Sequence, residues 1–280
     1  MKFLSHNERS AIQVSRAAAS FVILSGLMLP VVAYADDVQD QATIAADANA
    51  ANNPLTPKIT LNLQDYFLPS LNRVDGRSAN QGLLRGLVPA DPFGVPQLIR
   101  FTLPVATNPG FPNGTNTGLG DLTLFDLVVI PVKPVLFGVG PLLVAPTATN
   151  KNTGAGKWQA GVAGVAVAPQ SWGLVAALVT YQHSFAGDDS RPVAQLMTFQ
   201  PIVTYNLPKG FYLRSSGTWT LDLGNHTTVI PVGFGVGKVW AFGHGNTLNA
   251  FVEPQYSVIH SGVGVPVWQI FAGLNFQFAI

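Results

Sequence analysis

The sequence predicts an all-β protein, a transmembrane antiparallel up-and-down β-barrel of about 12 strands. Three observations carry the expectation. The 280-residue chain is 48% hydrophobic yet only 10% charged, where a soluble domain carries about 25% charged residues. Its apolar residues recur with a period of two, in segments of about ten residues parted by Gly, Asn and Pro. The faces that would meet water in a soluble barrel hold Phe, Leu, Val, Trp and Tyr, and Glu253 is the single glutamate after Glu8.

The first segment reads as a secretory address. Lys2, Arg9 and Arg16 precede an apolar run over residues 17–32, and Ala33-Tyr34-Ala35 supplies a small-x-small cleavage site before Asp36-Asp37. Residues 1–35 are therefore expected to be a cleaved signal peptide. Residues 36–57 are rich in Ala, Asp and Asn and hold no aromatic side chain. Such a composition buries too little surface to order itself, so a disordered periplasmic tail is expected.

The barrel is expected over 58–280. Residues 127–146 are long and apolar enough for a membrane helix, but Lys133 and prolines at 131, 134, 141 and 146 rule one out. In 211–222 Tyr212, Arg214, Ser216, Thr218, Thr220 and Asp222 share one face, with Phe211, Leu213, Trp219 and Leu221 opposite. The same alternation runs through 98–105, 196–206 and the final segment. It places strands at 58–67, 81–89, 97–107, 119–131, 135–146, 157–168, 172–185, 194–206, 211–222, 227–240, 247–259 and 265–279.

The connections point the same way. Those after odd strands, 68–80, 108–118, 147–156 and 186–193, are each longer than any after an even strand, and fit extracellular loops facing short periplasmic turns. The shorter 223–226 and 260–264 also follow odd strands. The chain ends on Gly273-x-x-Phe276-x-Phe278, similar to the C-terminal signal read by barrel-assembly machinery, although Ala279-Ile280 stand where Phe or Trp usually closes it.

Composition excludes several chemistries. With 15 Lys+Arg against 14 Asp+Glu there is no basic footprint for nucleic acid. Without cysteine there is no disulfide, thiolate zinc site or thiol nucleophile. His183-Ser184 and His260-Ser261 are adjacent pairs, so on a strand each pair points to opposite faces. No enzyme is expected. A lipid hydrolase resembling the lipid A deacylases, which place His and Ser near a late strand, is the minor alternative. Asp188-Asp189 fall short of the six to eight oxygens calcium takes, and His226, His244 and His260 fall in separate connections. No metal or cofactor is expected. Gly161-x-x-Gly164 and Gly233-x-Gly235-x-Gly237 precede no helix and signify strand packing, not phosphate binding.

Gly118-Leu119-Gly120-Asp121, Pro146-Thr147-Ala148-Thr149, Lys157-Trp158-x-x-Gly161, Ala186-Gly187-Asp188-Asp189-Ser190-Arg191 and Gln200-Pro201 together resemble one family, over about residues 53–280. It comprises outer-membrane proteins of the meta pathway of phenol degradation. The resemblance implies a transport-type barrel in the Gram-negative outer membrane, for aromatic compounds, and carries over no site residues.

The expected function is an outer-membrane channel or uptake protein for small, aromatic or hydrophobic molecules, with membrane lipid, the assembly machinery and the solute as partners. A structural or adhesion barrel with a closed lumen is the alternative. Eight strands leave a filled interior and 16 to 18 an aqueous pore, so about 12 implies a narrow lumen. Inward parity makes Arg85, Arg100, Lys157, Gln200, Arg214, Glu253 and Gln255 the candidates for lumen and constriction, joined by Asp126 if its strand bulges near Thr123. Asp188, Asp189, Arg191, His226 and His260 are expected at the extracellular rim.

Overall fold

The computed structural model describes residues 41–280. After one helix, α1 (Gln41–Asn52), the chain runs through twelve strands. These are β1 (Ile59–Leu71), β2 (Ala79–Ala90), β3 (Gln97–Pro109), β4 (Thr115–Leu119 and Leu122–Val132), β5 (Val135–Ala145) and β6 (Lys157–Gln170). They continue as β7 (Gly173–Gly187), β8 (Gln195–Asn206), β9 (Phe211–Ser215 and Trp219–Asp222), β10 (Thr227–Gly233 and Gly235–Phe242), β11 (Asn246–Ser261) and β12 (Pro266–Phe278). Each strand pairs antiparallel with its neighbour in the chain, and β12 returns to β1 from Ile59 opposite Phe278 to Leu71 opposite Pro266. Closure leaves no open sheet edge.

The twelve strands are those the alternation predicts, with three of them interrupted. The two pieces of β9 keep one register against β10, with Arg214 opposite Gly235 and Thr220 opposite Val229. Residues 216–218 between them leave the ladder. Alternation survives such a break, which is why 211–222 reads as a single strand.

Leu63, Val88, Ile99, Val139, Val162, Val203, Val252 and Trp268, spread around the barrel, are each 42–59% exposed. An apolar surface on every side exceeds any patch a soluble monomer shows and is stable against lipid. Aromatic side chains mark both margins of this band. Tyr256 packs on Trp268 at 5.0 Å between ring centroids near one end, and Trp172 on Tyr205 at 6.1 Å near the other.

The strands run further than their alternation shows, so the connections contract. Those after odd strands become 72–78, 110–114, 146–156, 188–194, 223–226 and 262–265, and those after even strands 91–96, 133–134, 171–172, 207–210 and 243–245. The connection 110–114 is thus shorter than 91–96, and the asymmetry is weaker than expected. The two ends of the barrel are called here the loop end and the turn end.

The expected signal peptide and residues 36–40 lie outside the described residues. The rest of the expected tail is a correction: Gln41–Asn52 is helical, and Ala48 and Leu55 are 1% and 2% exposed. Composition argued from what this segment can bury by itself. Inside a barrel it needs no core of its own, because the wall supplies the contacts and alanine is small and the best helix former.

Candidate functional site

The inward side chains divide the lumen into two walls. From β2 to β8 most are apolar: Leu87, Leu98, Phe125, Leu142, Val165 and Leu174 belong to one buried cluster, with Leu178 and Ile202 packed against it, and buried Gln159, Thr180, Gln182 and Thr204 interrupt this wall. From β9 to β12 polar groups stand among them, and Glu253, Gln255 and Ser257 on β11 have no exposed surface, beside a buried cluster of Tyr212, Val239, Phe251 and Phe271.

The polar wall centres on an ion pair. Arg214 on β9 donates from Nε to Glu253 Oε2 at 2.8 Å and from Nη2 to Ser216 Oγ at 2.6 Å. Glu253 also accepts the Ser216 hydroxyl at 2.7 Å, the Ser216 backbone N–H at 2.7 Å and the Gln255 amide at 2.8 Å. Gln269 donates to Gln255, and Gln200 donates to the Ser216 carbonyl at 3.0 Å. This explains the break in β9. Both backbone groups of Ser216 leave the ladder and are satisfied by side chains in the lumen. The Arg214 guanidinium lies 3.6 Å from the Phe251 ring centroid, within cation–π range, and Phe271 stacks on Tyr66 at 4.2 Å.

The other candidates are placed apart from this node. Arg85 on β2 donates from Nη1 to Gln64 Oε1 at 2.7 Å, and Gln64 donates to Asn275. Arg100 on β3 stands with its guanidinium carbon 5.3 Å from the Phe125 ring centroid. Lys157 opens β6 at the loop end. Asp126 does not join the lumen: it alternates with the buried Phe125 and Leu127, and the Gln97 amide, oriented to donate, reaches it at 2.9 Å. The structure adds lumen residues that the sequence reading passed over. Gln182 donates to Gln159 at 2.9 Å, Thr180 and Thr198 lie 2.6 Å apart, and Tyr212 donates to Asn249 Oδ1 at 2.6 Å. Parity carried the signal for all of them.

At the turn end α1 lies against the wall through Ala48 and Ala51, which share a buried cluster with Tyr212, Val239, Phe251 and Phe271, and through polar contacts. Asn206 donates to Ala45 O at 3.3 Å and Asn49 Oδ1 at 2.9 Å, Asn249 donates to Asn52 Oδ1 at 3.1 Å, and Asn49 donates to Gln170 O at 3.0 Å. Beyond the helix, Leu55 enters the apolar cluster. An apolar cavity of about 410 Å³ lies beside it, lined by Leu55, Pro57, Leu98, Val129, Leu136 and Ile280 among others.

At the loop end the motif residues brace one another. Asp121, in the break of β4, accepts the backbone N–H groups of Ala148 at 3.2 Å and Ala155 at 2.6 Å. Thr147 and Thr149 accept the N–H groups of Leu122 and Leu119, and Arg191 donates to the Gly154 and Ala155 carbonyls. Asp188 accepts the Ser190 hydroxyl at 2.6 Å. That bond and one from the Ser190 N–H hold its carboxyl below the usual carboxylate range. Asp189 shares that connection, and His226 closes the turn 223–226 in a left-handed conformation. His260 Nδ1 lies 2.8 Å from Ser257 O, while His183 is exposed on the face opposite buried Gln182. Neither histidine hydrogen-bonds a serine hydroxyl.

In fold the chain is similar to an outer membrane channel from Pseudomonas putida F1, with a TM-score of 0.61 at 15% identity over 81% of this chain and 98% of that one. At this identity the likeness is one of architecture. The beta domain of the Bordetella autotransporter BrkA aligns over 79% of this chain and 100% of its own, at 15% identity and a TM-score of 0.36; that likeness carries no argument. No protein-family profile matches the chain, and neither does any curated protein.

Proposed function

We propose that the protein is an outer-membrane channel for small, largely apolar solutes, aromatic compounds among them, and that α1 closes its periplasmic end. The observation that carries this reading is the division of the lumen. A large apolar cluster on β2 to β8 offers a solute a surface with few directional bonds to break, while the ion-pair network on β9 to β12 holds the barrel in shape. Bacterial barrels keep their short turns in the periplasm, which assigns the turn end, and α1 with it, to that side. The fold shared with an outer membrane channel agrees, as does the motif resemblance to the phenol-pathway family. One observation favours a structural barrel instead: Asn249, Glu253 and Gln255 are wholly buried, so the polar wall is packed.

Conductance in planar bilayers separates the two readings. Amides of Asn206 and Asn249 help to hold the helix, so the double variant Asn206→Ala/Asn249→Ala should open more often and more widely than the wild-type chain. If both remain silent while the folded, heat-modifiable band persists on gels, the protein is a closed structural barrel.

A further inference from the structure

We infer that Arg85 and Arg100 form an anion-recognition subsite in the lumen, and that the solute is a small organic anion with an apolar body, such as an aromatic carboxylate. The inference rests on the channel reading and names its substrate class. It starts from an imbalance of charge. Among the described residues, Arg214 with Glu253 is the one ion pair, and Glu253 has its oxygens engaged by Arg214, Ser216 and Gln255. No carboxylate pairs with Arg85 or Arg100. Arg85 spends one donor on Gln64, and its Nε is buried without a partner. Arg100 has the face of Phe125 and, among the described residues, no hydrogen-bond acceptor.

The register brings the two side chains together. Arg85 lies opposite Thr102, and Arg100 opposite Leu87. They are diagonal neighbours on one face of adjacent strands, about 7–8 Å apart with their Cβ atoms somewhat closer. Two long side chains so placed can reach one anion between them. Like charges held unpaired beside an apolar wall are costly, and an anion accepting from both guanidiniums relieves that cost through charge-assisted bonds. The same positive pair disfavours cations. Beyond Gln64, Thr102 and Tyr66, the pair has apolar neighbours: Leu87, Leu98, Phe125 and Leu142 are all at most 8% exposed. A ligand satisfying both environments has a carboxylate or similar head and a hydrocarbon or aromatic body.

Calorimetric titration of the full-length protein in detergent, at constant ionic strength, tests this with sodium benzoate, benzyl alcohol and sodium chloride. Benzoate should bind saturably, and the alcohol and chloride at least about tenfold more weakly, the scale of losing a charge-assisted bond or the apolar contact. Arg85→Gln and Arg100→Gln should each weaken benzoate by about tenfold, and Arg100→Lys by less, because it keeps the charge without the fork. Should a variant fail to give the folded band, the wild-type ranking of the three ligands decides. Equal binding of benzoate and benzyl alcohol removes the anion subsite, equal binding of benzoate and chloride removes the apolar body, and undiminished benzoate binding in both folded Gln variants removes the two arginines. Conductance keeps the two readings apart. A conducting barrel without benzoate preference overturns the subsite alone, and benzoate binding by a silent barrel supports the subsite while overturning the channel.

Discussion

The two walls of the lumen are built on opposite principles, although from the lipid side they look alike. On β2 to β8 the apolar majority of the inward residues is held by burial; Leu98 and Leu174 are 1% and 0% exposed. On β9 to β12 a hydrogen-bonded network holds the charged and amide groups, and Glu253 alone takes bonds from Arg214, Ser216 and Gln255. An apolar wall tolerates a passing apolar solute because no bond is broken. A polar wall resists it, because removing one partner strands the others without water. On the channel reading, rigidity and passage fall to separate arcs of one barrel.

Substitutions can break that contrast. The largest effect is expected for Glu253→Ala, which leaves the Arg214 charge and the Ser216 N–H buried and unpaired at a cost of about 3–5 kcal/mol. Replacing the pair together, Arg214→Met with Glu253→Leu, should cost less than either single change. Leu98→Ala on the other wall should cost about 2–5 kcal/mol, through the cavity it leaves. Urea unfolding from lipid vesicles measures all three. If the double variant is as unstable as Glu253→Ala, the polar wall is not organised by its ion pair.

Asn249→Ala should cost about 1–3 kcal/mol, since Tyr212 loses its acceptor and the helix loses its Asn52 contact. Protease sensitivity of residues 41–52 should rise with it, and unchanged sensitivity would mean that Asn249 does not hold the helix. The smallest effect belongs to the rim. Asp188 titrates below its ordinary value because of Ser190, so its hold on the connection 188–194 is complete above the ordinary carboxylate range and is lost as the pH falls through the lower folded value. The Ser190 amide signal in NMR should report that transition, and Ser190→Ala should move it towards the ordinary carboxylate value.

Much of the barrel was legible in the chain. A period of two, a shortage of charge and an apolar exterior are local properties, and each strand displays them without reference to its neighbours. The inward placement of Arg214 and Glu253 follows from the same parity. Their pairing does not: Arg214 and Glu253 are 39 positions apart and meet because register aligns β9, β10 and β11. Alternation also makes Ser216 look like an ordinary lumen position, whereas it is 1% exposed and gives its hydroxyl and its N–H to Glu253. The bracing role of Asp121 was equally hidden, because its partners Ala148 and Ala155 offer backbone and not side chains.

The sequence by itself determined which residues face lipid and which face the lumen, because a two-residue period is written in every strand. Only the tertiary structure decided what the inward residues do there. Closing the sheet collects Leu87, Leu98, Phe125 and Leu142 on one arc, and Arg214, Glu253 and Gln255 on another. It also turned Gln41–Asn52 from a segment with no core of its own into a helix held by Asn206 and Asn249 of the wall. The physical reason is the same in both cases. Facing direction depends on the backbone of one strand, whereas contacts inside a closed barrel depend on register summed around all twelve.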